Sequence, residues 1–96
     1  MNIQEGVSQW KAAPGALLID LRDKEDFKEG HIPGAKNILL KNLRGEMEAI
    51  AEFDTPIFLY CYRGMRSWQA EAVLQGAGYK NAVSIGGISK YKGELE

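Results

Sequence analysis

Two short apolar runs, separated by a helical pattern, constrain the fold of this chain more than any other feature. The first, Ala16 to Ile19, ends in Asp20 and Leu21, and the second, Ile57 to Tyr60, leads directly into Cys61. Unbroken apolar runs of this β-prone kind predict buried strands. Thr55-Pro56 stands just before the second run, where a proline begins a strand without removing a ladder hydrogen bond from its middle.

Each of the two apolar runs is followed by apolar residues at helical spacing. Between the strands, apolar residues recur at i, i+4, i+7 and i+8, which is one face of a helix that Asn42 is placed to cap. That face comprises Leu43, Met47, Ile50 and Ala51. The face of the helix predicted after Cys61 comprises Ala70, Val73, Leu74 and Ala77, with Gly76 and Gly78 at its end.

The remaining segments add one strand, one helix and a loop. Val83 to Ile85 predicts a short strand, and Ile3 to Trp10 predicts a helix. The glycines and proline of Gly30 to Gly34 interrupt both periodicities and predict a loop. Strands that alternate with helices favour an α/β domain, with a mostly parallel sheet and helices packed on its faces.

Length and charge exclude several classes of function. A chain of 96 residues predicts one domain, and a net charge of −1 offers no basic field for a nucleic-acid backbone or an anionic membrane. One cysteine and one histidine cannot furnish the usual zinc ligands, so we expect no metal and no cofactor. The sequence shows neither a signal-like start nor an apolar run of membrane length, and we expect a cytoplasmic protein.

The chemistry of the chain is concentrated around Cys61, between an apolar strand and an amphipathic helix. Ligands of α/β sheets bind at such places, because the first amides of a helix have no partner within it and its dipole favours anions. Arg63 and Arg66 lie in the same loop, and Gly64 permits the turn that brings successive amides together. The helix dipole alone is too weak to ionise the thiol, so the amides and at least one arginine are expected to contribute.

A structural role for these residues is the alternative. A lone cysteine at a strand end is commonly a small buried hydrophobe, but two arginines and a glycine in the next few residues favour a reactive thiolate. Cations are disfavoured at a helix N-terminus unless an anion joins them, which again favours an anion site. Trp10 and Trp68 are interpreted as core or pocket wall.

Three segments resemble motifs of the rhodanese-like sulfurtransferases, specifically their single-domain form. The first signature of that family is similar to LLIDLRDKEDFKEGHIPGAKNI, its active loop Cys-x-x-Gly-x-Arg-Ser to CYRGMRS, and its closing Gly-Gly segment to VSIGGISKYKG. The resemblance covers nearly the whole chain. It implies a rhodanese-like α/β fold, with a central, mostly parallel five-stranded sheet flanked by helices on both faces and residues 1–96 as a single domain.

The resemblance also implies an activity. In that family the loop cysteine takes sulfane sulfur from thiosulfate or another persulfide donor, holds it as a persulfide, and passes it to cyanide or a thiol. Cys61 is the matching position, and the partners are expected to be small molecules or a protein persulfide. Since the chain has no second cysteine, the acceptor must be another molecule.

The same resemblance gives roles to individual residues. Arg66 is expected to fold over the loop and hold the donor's charge, and Arg63 to point to solvent and steer anions. Bulky Tyr62 and Met65 are expected to narrow the mouth of the site. The substrate-binding residues implied are Tyr62, Arg63, Gly64, Met65, Arg66 and Ser67. The structural positions near the site are Asp20, Arg22 and His31.

Two other functions remain open on the sequence. A related fold uses a cysteine loop to hold an oxyanion in arsenate reductases and phosphatases, commonly with five residues between cysteine and arginine; here four separate Cys61 from Arg66. The other function is a non-enzymatic rhodanese-like interaction domain, since some members of the family have lost the cysteine, whereas Cys61 and its whole loop are present here. The closing segment also departs from the family, because Ile88 and Tyr91 stand where tryptophans are common.

Overall fold

Helices and strands alternate along the chain, in a computed structural model that describes residues 1–96. Two 3-10 turns, at Leu40–Asn42 and Ile88–Lys90, lie between or after the main elements. The main elements in chain order are α1 Ile3–Ala12, β1 Leu17–Asp20, α2 Lys24–Glu29, β2 Lys36–Asn37, α3 Leu43–Ile50, β3 Ile57–Cys61, α4 Met65–Gly76 and β4 Ala82–Gly87.

The four strands form one parallel sheet in the order β2-β1-β3-β4. The expectation of five strands is wrong. The N-terminal residues carry helical spacing and form α1, and the end of the chain meets the rest through Glu96, whose backbone exchanges two hydrogen bonds with His31. A single paired residue does not make a strand, so no fifth strand joins the sheet.

Helices cover both faces of the sheet, as expected. On one face α3 and α4 bury Leu43, Met47, Ala70 and Leu74 against strand residues such as Leu59. On the other face α1 buries Ile3 and Val7 against Leu18, Phe58 and Ile85. Alternate residues of β3 therefore enter opposite cores, and all five of its residues are buried. This double burial explains the unbroken apolar run in the sequence.

Most element predictions are confirmed, with differences at the ends. Helix α1 continues to Ala12, and β4 extends to Gly87. Asn42 precedes α3, but its side chain makes no capping hydrogen bond. Its φ of −105° and ψ of −1° continue the preceding 3-10 turn, whereas a capping residue needs an extended backbone.

The strand order places a topological switch point between β1 and β3. The connection after β1 runs outward to β2, and the connection after β3 runs outward to β4 on the opposite side. The loops that leave these two central strands therefore diverge and open a crevice at the carboxyl edge of the sheet, where ligands of such folds bind. The longest helix, α4, has 12 residues, and no helix combines the length and apolar composition that a bilayer crossing requires.

Candidate active site

A cavity of about 500 Å³ opens at this switch point. The segment after β1 and the loop after β3 supply its walls, as the diverging connections require. Its lining residues are Arg22, Asp26, Glu29, Cys61, Tyr62, Arg63, Met65 and Arg66. Five of the predicted loop residues and the predicted Arg22 thus meet in one cavity.

Cys61 ends β3 at the base of this cavity and is 4% exposed. The backbone amide of Gly64 donates to its Sγ over 3.0 Å, and the Ser67 Oγ lies 3.8 Å from the same sulfur. Gly64 has a φ of +109°, a left-handed conformation that turns the chain sharply into α4. The glycine in the loop is therefore needed for the turn that presents its amide to the thiol.

The environment of Cys61 favours its thiolate. Burial raises the pKa of the Cys61 thiol, but hydrogen bonds from the amides of Ser67, Gly64 and Arg66 and from the Ser67 hydroxyl outweigh burial, and the net pKa is lowered. The first amides of α4 are available for this purpose because they have no partner within the helix. The largest causes that lower this pKa are the backbone amides and the Ser67 hydroxyl, rather than the guanidinium groups expected from the sequence.

Ser67 links the sulfur to the neighbouring strand. Its buried hydroxyl donates to the Gly64 carbonyl at 3.1 Å, lies 2.8 Å from the Ser84 Oγ, and lies 3.3 Å from the Gly86 carbonyl. Ser84 on β4 was not predicted from the sequence, because its contact depends on a strand that follows α4. The network ties the first turn of α4 to the sheet and holds the Ser67 hydroxyl beside the thiol.

The end of β4 supports the loop from below. Gly87 pairs with Cys61 in the sheet register, and the Ser89 amide donates to the Tyr62 carbonyl at 3.0 Å. A Cβ at Gly87 would overlap the Tyr62 carbonyl and the Arg63 Cα. The Gly-Gly segment singled out in the sequence therefore lets the cysteine loop lie directly on the sheet.

The two loop arginines both line the cavity but face different surroundings. The Arg66 Nη1 lies 3.7 Å from the Asp23 Oδ1, and this exposed pair leaves half of the Arg66 side chain accessible. The Arg63 guanidinium carbon lies 5.7 Å from the centroid of the exposed Tyr62 ring. Both cations are thus within the site and available to an anion, and their separate roles stay predictions.

Asp20 and Arg22 form a buried pair behind the cavity. The Asp20 Oδ1 accepts from the Arg22 amide at 2.8 Å, and its Oδ2 accepts from the Arg22 Nη2 at 2.8 Å. The same Nη2 donates to the Gly30 carbonyl at 2.6 Å, which fixes the loop after α2. Burial and the Asp20 carboxylate raise the pKa of the nearby Tyr60 hydroxyl, which accepts a hydrogen bond from the Ile32 amide and stays protonated.

His31 lies outside the cavity, in the turn that precedes β2. Its ring stacks on Phe27 with centroids 3.7 Å apart, its Nδ1 lies 2.8 Å from the Phe27 carbonyl, and its Nε2 lies 3.1 Å from the Glu96 carboxylate. The structure thus does not bring the only histidine to Cys61. Hydrogen bonds from backbone amides, rather than proton transfer to a histidine, therefore favour the Cys61 thiolate.

Two carboxylates of the cavity were not predicted from the sequence. Asp26 and Glu29 of α2 add carboxylates to a wall that the loop signature does not describe. Met65, which is expected from the sequence at the mouth of the site, lines the cavity and is 69% exposed. Trp68 is 66% exposed and lines neither core nor cavity, so its interpretation as core or pocket wall is wrong, whereas Trp10 packs against the α1 core.

Comparison with known proteins identifies the relatives of this chain. The Haemophilus influenzae protein named thiosulfate sulfurtransferase GlpE is 39% identical over 75 residues, which are 77% of this chain and 70% of that protein. The Bacillus subtilis protein YqhL is 37% identical over 82 residues, 84% of this chain and 64% of YqhL. The solved structure of a rhodanese with anions from E. coli is 28% identical with a TM-score of 0.76, covering 84% of this chain and 96% of that one.

A family model supplies the broadest match. The model of the rhodanese-like domain matches residues 3–94, which include every helix and strand of the structure, the Cys61 loop and the Gly86-Gly87 segment. The observed strand order and the position of the cysteine loop at the switch point are consistent with these matches. The chain therefore belongs to the rhodanese-like domain family.

Proposed function

We propose that residues 1–96 form a single domain that transfers sulfane sulfur through a persulfide on Cys61. The proposal rests on the surroundings of the Cys61 sulfur. Cys61 lies at the end of a buried strand, its Sγ accepts a hydrogen bond from the Gly64 amide at 3.0 Å, and the pKa of its thiol is lowered. A thiolate held in a ring of amides is a nucleophile ready for attack on a sulfur donor. The names of the GlpE relatives support thiosulfate as that donor.

The first step forms the persulfide. The Cys61 thiolate attacks the outer sulfur of thiosulfate, a bond forms between Cys61 Sγ and that sulfur, and the sulfur–sulfur bond of thiosulfate breaks. Its electron pair leaves with sulfite, so one thiolate and one thiosulfate dianion become one persulfide anion and one sulfite dianion. The amides of Gly64, Arg66 and Ser67, already directed at the thiol, stabilise the charge on the new terminal sulfur.

The second step returns the thiolate. Cyanide or a thiolate attacks the terminal sulfur, and the electron pair of the bond to Cys61 Sγ returns to the cysteine. The products are thiocyanate or a new persulfide, and the enzyme is restored without any change in its net oxidation state. Because the chain has no second cysteine, the acceptor must come from outside.

The two arginines of the cysteine loop support an anionic donor, although Asp26 and Glu29 also line the cavity. Arg22 is committed to Asp20, which leaves Arg63 and Arg66 as the cations that face the opening. A guanidinium is well suited to an oxyanion such as the sulfonate end of thiosulfate. The presence of anions in the related E. coli rhodanese structure agrees with this assignment.

The short loop argues against phosphatase or arsenate reductase activity. Only four residues separate Cys61 from Arg66, and the Gly64 amide is already drawn to the sulfur. A loop closed this tightly suits one sulfur atom better than a tetrahedral oxyanion with its three outer oxygens. The complete cysteine loop, with its hydrogen bonds in place, likewise argues against a purely non-enzymatic interaction domain.

Steady-state assays on one protein sample test the proposal. The wild type is expected to produce thiocyanate from thiosulfate and cyanide, and to leave arsenate and an aryl phosphate unchanged. Cys61→Ser, which keeps the size of the side chain, is expected to produce no thiocyanate while its circular dichroism and melting temperature stay close to those of the wild type. Equal thiocyanate production by that variant would overturn the proposal, and turnover of arsenate or phosphate would replace it.

A further inference from the structure

A second cavity, of about 540 Å³, adjoins the site on the other side of Arg63. It lies where the start of α1 meets the end of β4 and the turn that follows. The residues of its lining that bear on its chemistry are Gln4, Arg63, Gly86, Gly87, Lys90 and Lys92. Nothing in the sulfur-transfer steps uses this cavity.

The charged side chains that line this second cavity are all positive. Arg63, Lys90 and Lys92 line it, and no aspartate or glutamate does. None of the three cations takes part in a salt bridge, although the protein as a whole has more acidic than basic residues. Three uncompensated cations around one concave surface create a local positive potential, which is relieved by binding an anion.

The backbone segment that contains Lys90 and Lys92 is hydrogen-bonded to α1. The Gln4 side chain donates to the Lys90 carbonyl at 3.2 Å and accepts from the Lys92 amide at 2.8 Å, so one glutamine holds the backbone at both positions. Gly86 and Gly87 add no side chains to their part of the cavity wall. Helix α1 thus holds the backbone that carries both lysines, so less backbone ordering is required when an anion binds.

The cavity is joined to the catalytic one through the cysteine loop. Arg63 lines both, and Gly87 in the wall of the second cavity lies against the backbone of Tyr62 and Arg63, the two residues that follow Cys61. A molecule that occupies both cavities would therefore contact Arg63.

We infer that this second cavity, the distal basic cavity, binds the acidic group of a small thiol acceptor whose carboxylate or phosphate is several bonds from its sulfur. The inference rests on the proposed function for the sulfur end of the acceptor. The acceptor thiol loses its proton to solvent, and its sulfur bonds to the terminal sulfur of the persulfide. The bond between that sulfur and Cys61 Sγ breaks, and its electron pair returns to Cys61. Thiosulfate and cyanide are too small to span the two cavities, so only the acceptor step depends on the distal one.

Matched thiols test the distal basic cavity. With thiosulfate as donor, 6-mercaptohexanoate and 6-mercaptohexanol differ only in the terminal charge, and 3-mercaptopropionate has the charge but is shorter. The wild type is expected to show a lower KM for the long acid than for either comparison thiol. In the double variant Lys90→Glu/Lys92→Glu, the ratio of the KM for the acid to the KM for the alcohol is expected to rise at least about fivefold, and the difference is expected to shrink in high salt. In the control Lys80→Glu, an exposed lysine outside both cavities, the ratio is expected to stay unchanged.

A binding experiment separates this inference from the proposed function. Hexanoate and inorganic phosphate are titrated into isotope-labelled Cys61→Ser protein, which cannot form a persulfide. Amide shifts that saturate at Gly86, Gly87 and Ser89, and that disappear in the lysine double variant, support the cavity and show which oxyanion it prefers. Equal KM ratios in the wild type and the double variant, or shifts that survive the double substitution, would overturn it. A wild type that fails to take sulfur from thiosulfate but passes the titration would overturn the proposed function alone.

Discussion

Replacing Gly87 with alanine tests how the cysteine loop is supported. The added Cβ would overlap the Tyr62 carbonyl and the Arg63 Cα, which are backbone atoms and cannot swing away as a side chain does. Overpacking of this kind costs about 1–3 kcal/mol. In a domain of 96 residues each kcal/mol lowers the melting temperature by about 4–8 °C, so the variant is expected to melt at least about 4 °C below the wild type.

The same substitution is expected to disturb the chemistry. Gly87 pairs with Cys61, and the Ser89 amide holds the Tyr62 carbonyl, so a displaced loop draws the Gly64 amide away from the thiol. Sulfur transfer is expected to fall, and the pH midpoint of Cys61 alkylation is expected to rise.

A matched substitution provides the control for Gly87→Ala. Gly45 lies in α3 with nothing within 4 Å of an added Cβ, so Gly45→Ala is expected to stabilise the helix by about 1 kcal/mol and leave transfer unchanged. Differential scanning calorimetry and thiocyanate assays measure both variants. Wild-type stability and wild-type transfer in Gly87→Ala would refute the argument that β4 holds the loop.

Three further predictions follow from the buried groups. The rate of Cys61 alkylation by iodoacetamide is expected to have its pH midpoint below that of a free thiol, because the lowered pKa keeps the thiolate present as the pH falls. Ser67→Ala is expected to raise this midpoint. An unchanged midpoint in the variant would show that Ser67 does not lower the Cys61 pKa. Asp20→Ala leaves the Arg22 guanidinium buried without its carboxylate and is expected to cost about 3–5 kcal/mol in urea unfolding; a cost below about 1 kcal/mol would show that the pair is dispensable. Leu74→Ala, at a fully buried position of α4, is expected to cost about 2–5 kcal/mol in the same measurement, and a smaller loss would contradict the packing of that helix on the sheet.

The sequence was most informative where local pattern decides structure. The apolar run of β3 and the glycine after it predicted a strand that turns sharply into α4, and Gly64 makes that turn with a φ of +109°. The pairing of Asp20 with Arg22 was also predictable, since the two lie two residues apart at the end of β1. These features depend on residues that are close together in the sequence, so a periodicity or a motif is enough to predict them.

Features set by distant neighbours were not predictable from local pattern. Strand β2 has only two residues and exists because β1 offers it partners, so no run in the sequence marks it. The expectation of five strands came from the resemblance to the family, whereas the sheet has four. Ser84 meets Ser67 only because β4 lies beside β3, and Glu29 reaches the cavity only because the loops diverge at the switch point. The arginines were expected to lower the Cys61 pKa, but this effect depends on the direction of each side chain, which the sequence does not specify.

The mass of the intact protein after exposure to thiosulfate tests the central claim most directly. The wild type, incubated with thiosulfate and freed of small molecules, is expected to gain one sulfur atom, about 32 Da, on Cys61, and to lose it when cyanide is added. The Cys61→Ser protein is expected to keep its original mass throughout. A wild type that gains no mass, a gain that Cys61→Ser shares, or a gain that cyanide does not remove would contradict the account.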